Sequence, residues 1–163
     1  RDLTAKWLAP RLARYSQQAP DVRFTLVSAD SGIDFTEANL DLAIFWTDGA
    51  GEHEGVALPD AMMLTVAGPG SESETRIAWP GCPVEEGEPA LRLGDAGLAI
   101  DAAANGLGQA NVPAMLAEAD IAAGRVRLVR EAFPVKRGYW LVAPTPQWRQ
   151  AKVKALVAAL TEN

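Results

Sequence analysis

A chain of 163 residues, 48% hydrophobic and 22% charged, can bury either one real core or the cores of two small lobes, and its composition is that of a globular protein. With 15 basic against 21 acidic residues its net charge is −6, which argues against this chain gripping a nucleic-acid backbone. No apolar run approaches the ~20 residues of a membrane span, and the single cysteine, Cys82, excludes an internal disulfide and permits a cytosolic home.

In chain order, residues 1–18 read as helix. Trp7, Leu8, Leu12 and Tyr15 share one face, Asp2 is placed to cap a first turn, and Pro10 opens a second helical segment because it has no N–H to give the preceding turn. Residues 22–27 (VRFTLV) alternate apolar and polar side chains and predict a strand. A loop at 28–32, a short helix at 35–39 and a second strand at 40–45 (LDLAIF) complete a parallel strand–helix–strand crossover, expected right-handed. Residues 46–59 read as acidic loop and 61–67 (AMMLTVA) as a buried strand. Gly68-Pro69-Gly70-Ser71 breaks the chain and marks a crossing into a second lobe.

Beyond it, 75–79 and 90–93 are short strands, and Asp95 caps an alanine-rich helix reaching Asn105, with Gly106 just past its end. The small residues of that helix allow a very close neighbour. A strand at 109–112 and a helix at 113–120 with proline in its first turn follow. After Gly124 the chain returns through strands at 125–129 and 138–143. A last helix is expected to be capped by Thr145, with Val153, Leu156, Val157 and Leu160 facing inward and Lys152 and Lys154 facing out.

Catalytic chemistry finds little support. The only histidine, His53, sits between two glutamates and reads as an exposed loop residue, because a metal site needs more ligands at tight spacing. One histidine and no G-x-S-x-G turn make a serine triad improbable. Cys82 has no neighbouring base, so it reads as a structural or incidental thiol. The glycines at 106 and 108 follow a helix rather than precede one, so they form a cap and not a phosphate loop. The acidic runs at 72–74 and 85–88, and the basic pair Lys136-Arg137, read as solvated turns.

Four segments resemble the effector-binding domain of the LysR-type bacterial transcriptional regulators. Trp7-Leu8-Ala9-Pro10-Arg11-Leu12 with Pro20-Asp21-Val22 is similar to the family's "WL-x-PRL … P-x-V". Asp34-Phe35 followed by Leu40-Asp41-Leu42-Ala43-Ile44 is similar to "DF … VDLAI". Ala102-Ala103-Ala104-Asn105-Gly106-Leu107-Gly108 is similar to "AA-x-x-GLG", and Asp120-Ile121-Ala122-Ala123-Gly124-Arg125-Val126 to "DLAAGRLV". The spacing looks closest to the branch that includes regulators of glycine cleavage and of β-lactamase genes. The chain departs from the family by lacking the strand before the first helix and the N-terminal winged helix-turn-helix, and its stretch 71–111 is shorter than the usual second lobe.

The resemblance implies an α/β fold of two Rossmann-like lobes with a ligand cleft between them, like the type 2 periplasmic binding proteins. Lobe I would comprise residues 1–67 and 125–163, and lobe II residues 68–124. In such sheets ligands lie beyond the carboxyl ends of strands, near helix N-termini. The expected cleft residues are Asp2, Leu3 and Thr4; Ser28, Ala29, Asp30 and Ser31; Trp46, Thr47 and Asp48; and, from the other lobe, Trp79 and Asp95. Phe45 is expected in the core. For Asp2 and Asp95 simple helix capping is the competing reading, and for Asp48-Gly49 an ordinary turn. Four acids aimed at one cleft favour an effector that carries an amine as well, or a ligand unlike the family's.

The resemblance further implies a cytoplasmic protein without cofactor or metal, binding a small amino-acid-like molecule or other small organic acid. It would pair with itself as dimer or tetramer through the first helix and residues 22–27, and meet DNA only through the absent N-terminal domain. It would do no chemistry and have no membrane contact. A periplasmic-type solute-binding protein is the alternative.

Overall fold

The first helix begins at Asp2 and is π-wound over Thr4–Leu8 before continuing as α1 (Ala9–Gln18). The wider turn lies just ahead of Pro10, whose ring forbids an ordinary bond back to the turn before it, so the helix continues through the proline instead of restarting after it. The structure, a computed structural model, describes residues 1–28, 33–58, 61–83 and 87–162. They form two compact units, the first of Arg1–Ala9 and Met62–Val135, the second of Pro10–Ala61 and Lys136–Asn163.

The first unit is a five-stranded mixed sheet. Its strands are β3 (Met62–Ala67), β4 (Arg76–Ala78), β5 (Leu91–Arg92), β6 (Gln109–Pro113) and β7 (Arg127–Pro134), in the order β5-β4-β6-β3-β7. β4 runs parallel to β5 and β6, while β3 runs antiparallel to β6 and β7. Helix α2 (Ala96–Ala104) packs on β3, β4 and β6. Helix α3 (Ala114–Ala122) packs on the π-helical stretch and on β3, β6 and β7. Met63, Val66, Ile77, Ile100, Val112 and Leu116 are fully buried and form the apolar centre. The alanine-rich face of α2 permits the close approach expected of it. A Cβ on Gly68 would stand 2.6 Å from the Ala103 carbonyl, so only glycine fits there.

The second unit holds an antiparallel sheet of three strands, β1 (Ala43–Thr47), β2 (Glu54–Ala57) and β8 (Gly138–Ala143), ordered β1-β8-β2. Phe35, Ala43, Val142 and Ala143 form its core, with Ile33, Leu40, Leu42, Phe45, Trp140 and Trp148 packed around them. A short α4 (Thr145–Trp148) precedes α5 (Ala151–Thr161), on which Val153 and Leu160 are buried. The expected last helix is thus broken after Trp148, and Thr145 bonds Glu54 at 3.5 Å instead of serving as the cap.

Several expectations change for identifiable reasons. Residues 22–27 form no strand; Leu26 is 52% and Val27 62% exposed. Alternation is not sufficient, because a strand exists only with a partner ladder, and the three strands of this unit pair with one another. The parallel crossover therefore does not form, and the strand expected at 40–45 appears as β1, antiparallel to β8. Residues 35–39 make a single turn, with Asp34 Oδ1 accepting from the N–H groups of Thr36 and Glu37 at 2.9 Å each, and Asn39 closing it in the left-handed region (φ 51°). The supposed loop at 46–59 contains β2, which β8 recruits as its second neighbour. The crossing expected at 68–71 and the return expected after Gly124 fall inside the first unit, because β3 and β7 pair along their lengths; the chain passes between units after Ala9, Ala61 and Val135.

Candidate functional site

Two of the expected cleft residues converge on one helix end. Asp95 caps α2, its Oδ1 accepting from Leu98 N–H at 2.8 Å. Asp2, from the start of the chain, brings Oδ2 within 3.3 Å of Gly97 N–H, and its Oδ1 accepts from Leu3 N–H at 2.7 Å. The positive end of the helix dipole and its unbonded N–H groups favour both carboxylates. The approach depends on Gly97, where a Cβ would sit 2.7 Å from Asp2 Cβ, 3.3 Å from Asp95 Oδ1 and 3.4 Å from Lys6 Cε. Gly97→Ala should therefore cost about 1–3 kcal/mol by overpacking. Urea denaturation measures it, and an unchanged midpoint would mean that Asp2 does not seat there.

Next to this helix end lies an ion cluster. Lys6 Nζ donates to Asp120 Oδ2 at 2.9 Å and to Asp101 Oδ1 at 3.3 Å. Arg125 bridges the same two carboxylates, bonding Asp120 Oδ1 directly and Asp101 Oδ1 at 3.3 Å. Asp120 is 6% exposed and Lys6 16%, so the Lys6–Asp120 pair is largely withdrawn from water. It ties the first helix to α2 and α3, and motif positions Asp120 and Arg125 meet here in a structural role.

The other expected residues are placed as follows. Leu3 is buried and Thr4 half-buried at the start of the first helix. Trp79, just beyond β4, is buried, and its indole Nε1 donates to the Asn111 carbonyl at 2.7 Å. Trp46 and Thr47 close β1, with Trp46 against Tyr139 at 4.9 Å between ring centroids and an interplanar angle of 63°, while Phe45 joins the core cluster as expected. Thr47 Oγ1 lies 3.5 Å from the exposed Asp48 Oδ1. Ser28 is exposed; Ala29, Asp30 and Ser31 lie outside the described residues. Asp2, Leu3, Thr4, Trp79 and Asp95 thus belong to the first unit, and Ser28, Trp46, Thr47 and Asp48 to the second.

His53 is half-buried rather than exposed, edge-on to Phe35 at 5.1 Å, because the turn at 35–39 brings that ring to it. Among the described residues no group of three His, Cys, Asp or Glu could hold a metal ion, and no helix is long and apolar enough to cross a membrane.

One polar set was passed over in the sequence. Thr65 on β3 and Asn111 on β6 stand opposite each other and are both buried. Thr65 Oγ1 donates to Asn111 Oδ1 at 2.6 Å and accepts from Arg130 Nε at 2.7 Å. The only local signal was a polar residue inside each of two otherwise apolar runs, MMLTVA and ANVP.

A model of the LysR substrate binding domain matches residues 81–163. The fold is similar to the effector domain of the transcriptional regulator AmpR of Pseudomonas aeruginosa, with a TM-score of 0.78 and 19% identity over 99% of this chain and 90% of that one. The AmpR effector binding domain from Citrobacter freundii gives a TM-score of 0.78 at 14% identity, over 98% and 92%. The regulatory domain of CrgA, a LysR-type transcriptional regulator from Neisseria meningitidis, gives 0.75 at 17%, over 99% and 93%. No curated protein matches the chain significantly.

Proposed function

The chain belongs to the LysR substrate binding domain family, and from that premise we propose that it is the effector-sensing part of a DNA-binding transcriptional regulator, binding a small molecule in a cleft between two lobes. The family match over residues 81–163 carries the reading. The likeness to the AmpR effector domains fits the branch indicated by motif spacing and favours a regulator over a periplasmic solute-binding protein.

In this reading the domain does no chemistry; it works by differential affinity. An effector shifts the balance between two arrangements only to the extent that it binds one better than the other. The proposed cleft residues are Asp2, Leu3, Thr4, Ser28, Ala29, Asp30, Ser31, Trp46, Thr47, Asp48, Trp79 and Asp95. The two carboxylates already drawn to the start of α2 support an effector that brings an amine of its own, as an amino-acid-like molecule does. DNA contact would fall to a winged helix-turn-helix part of the regulator in the cytoplasm. Self-association as dimer or tetramer would use the first helix and residues 22–27, where exposed Leu26 and Val27 offer apolar surface to a second copy.

A thermal-shift screen of amino acids, aromatic acids and cell-wall fragments tests the reading. A ligand at 100 times its Kd adds ~2.7 kcal/mol of stability. For a chain of this size that raises Tm by about 5–10 °C. Failure of every class to raise Tm would remove the effector-binding reading.

A further inference from the structure

We infer that Pro10 is a positioning residue for the proposed effector site: it forces the wide winding of Thr4–Leu8, and that winding turns Asp2 onto the start of α2. The inference deepens the effector-binding reading and rests on it. The first helix opens with an ordinary turn, Ala5 N–H donating to the Arg1 carbonyl at 3.1 Å, four residues back. One turn later Ala9 N–H donates to the Thr4 carbonyl, five residues back. Proline accounts for the change. In α winding residue 10 would donate to the Lys6 carbonyl, but proline has no N–H to give and its ring collides with that carbonyl. Closing the turn five residues back avoids that arrangement.

The winding decides where Asp2 points. The wide turn holds one residue more than an α turn, so the residues before it are rotated by about 100° relative to those after it. In an unbroken α-helix Asp2 would stand almost in line with Ala9, seven residues on, and Ala9 is exposed. In the observed winding the Asp2 side chain is only 16% exposed, and its Oδ2 lies 3.3 Å from Gly97 N–H, beside the capping Asp95. Lys6, inside the wide turn, donates to Asp120 at 2.9 Å and to Asp101 at 3.3 Å, and Trp7 and Leu8 in the same turn are buried. Asp95 needs no such help, because it caps its own helix by accepting from Leu98 N–H. Asp2 does, since it comes from another helix and reaches α2 only if that helix is wound to face it. The pair offers an effector amine two carboxylates for charge-assisted hydrogen bonds where Asp95 alone offers one. The residue that sets the winding therefore sets the pair.

The test uses NMR, in which the scalar coupling through an N–H···O=C bond identifies the accepting carbonyl. In the wild-type chain Ala9 N–H should couple to the Thr4 carbonyl. In Pro10→Ala, which restores the missing N–H, it should couple to the Ala5 carbonyl, and the Gly97 amide signal should shift and stop responding to Asp2→Asn. Ala9→Gly is the control: it weakens the helix but restores no N–H at position 10, so the coupling to Thr4 and the response of Gly97 should persist. A merely structural proline gives the opposite ranking. The binding probe is glycinamide, an amine without a carboxylate, with acetamide as its neutral counterpart. Pro10→Ala and Asp2→Asn should each weaken glycinamide binding about ten- to hundredfold, and the double variant should lose no more than either alone. A Pro10→Ala chain that keeps the Thr4 coupling, or rewinds and keeps wild-type glycinamide affinity, overturns the proposal. If glycinamide does not bind while the thermal-shift screen finds another effector, the proposal falls and the sensing reading stands. If neither glycinamide nor any screened compound binds, both fall.

Discussion

Replacing Asp120 with alanine should destabilise the domain by about 3–5 kcal/mol, the range for breaking one side of a buried ion pair. Asp120 is 6% exposed, and its two oxygens separately serve Lys6 and Arg125. Among the described residues, its loss leaves the Lys6 ammonium, 16% exposed, with Asp101 at 3.3 Å as its remaining carboxylate. Arg125 suffers less, because it is about half exposed and water can replace the lost bond. Asp101→Asn is the matched control. That carboxylate is 47% exposed, so its removal should cost less than about 1 kcal/mol. Urea unfolding of the two variants separates the cases, and equal losses would mean that burial does not rank these pairs.

Trp7→Ala should cost about 3–5 kcal/mol, as large aromatic truncations in a core do. Trp7 is 3% exposed and lies in the π-helical stretch that packs on α3, flanked by buried Leu3 and Leu8. Its removal opens a cavity against α3 as well as forfeiting the transfer free energy of the ring. Tyr15, which the sequence places on the same face, is only half-buried and meets Phe24 edge-on at 6.1 Å. Tyr15→Ala should cost distinctly less, and a Trp7→Ala midpoint no lower than that of Tyr15→Ala would contradict the burial assigned to the first helix.

These contrasts also mark where the sequence could be read. Elements set by local chemistry were legible: Asp95 caps α2, Gly106 follows its end at φ 83°, Pro113 ends β6 and immediately precedes α3 rather than lying in its first turn, and the apolar run before Gly68 is β3. Elements that depend on a distant partner were not. Residues 22–27 have the pattern of a strand but no ladder, whereas β2, with the weak pattern EGVA, is a strand because β8 lies beside it. The site follows the same division. The capping carboxylate of Asp95 was visible from its neighbours, but Asp2 reaches Gly97 across 95 residues of sequence. Thr65 meets Asn111 across 46 and Arg130 across 65, and three polar residues that far apart announce nothing until the sheet aligns them. The irregular pairing that turns Arg130 toward Thr65 exists only in the assembled ladder.

The measurement that bears most directly on the account is a calorimetric titration of this chain with the compound giving the largest thermal shift. Effector sensing predicts a saturable heat with one site per chain, at an affinity that accounts for the shift in Tm. Heats that never rise above dilution, for that compound and for the others in the screen, would contradict it.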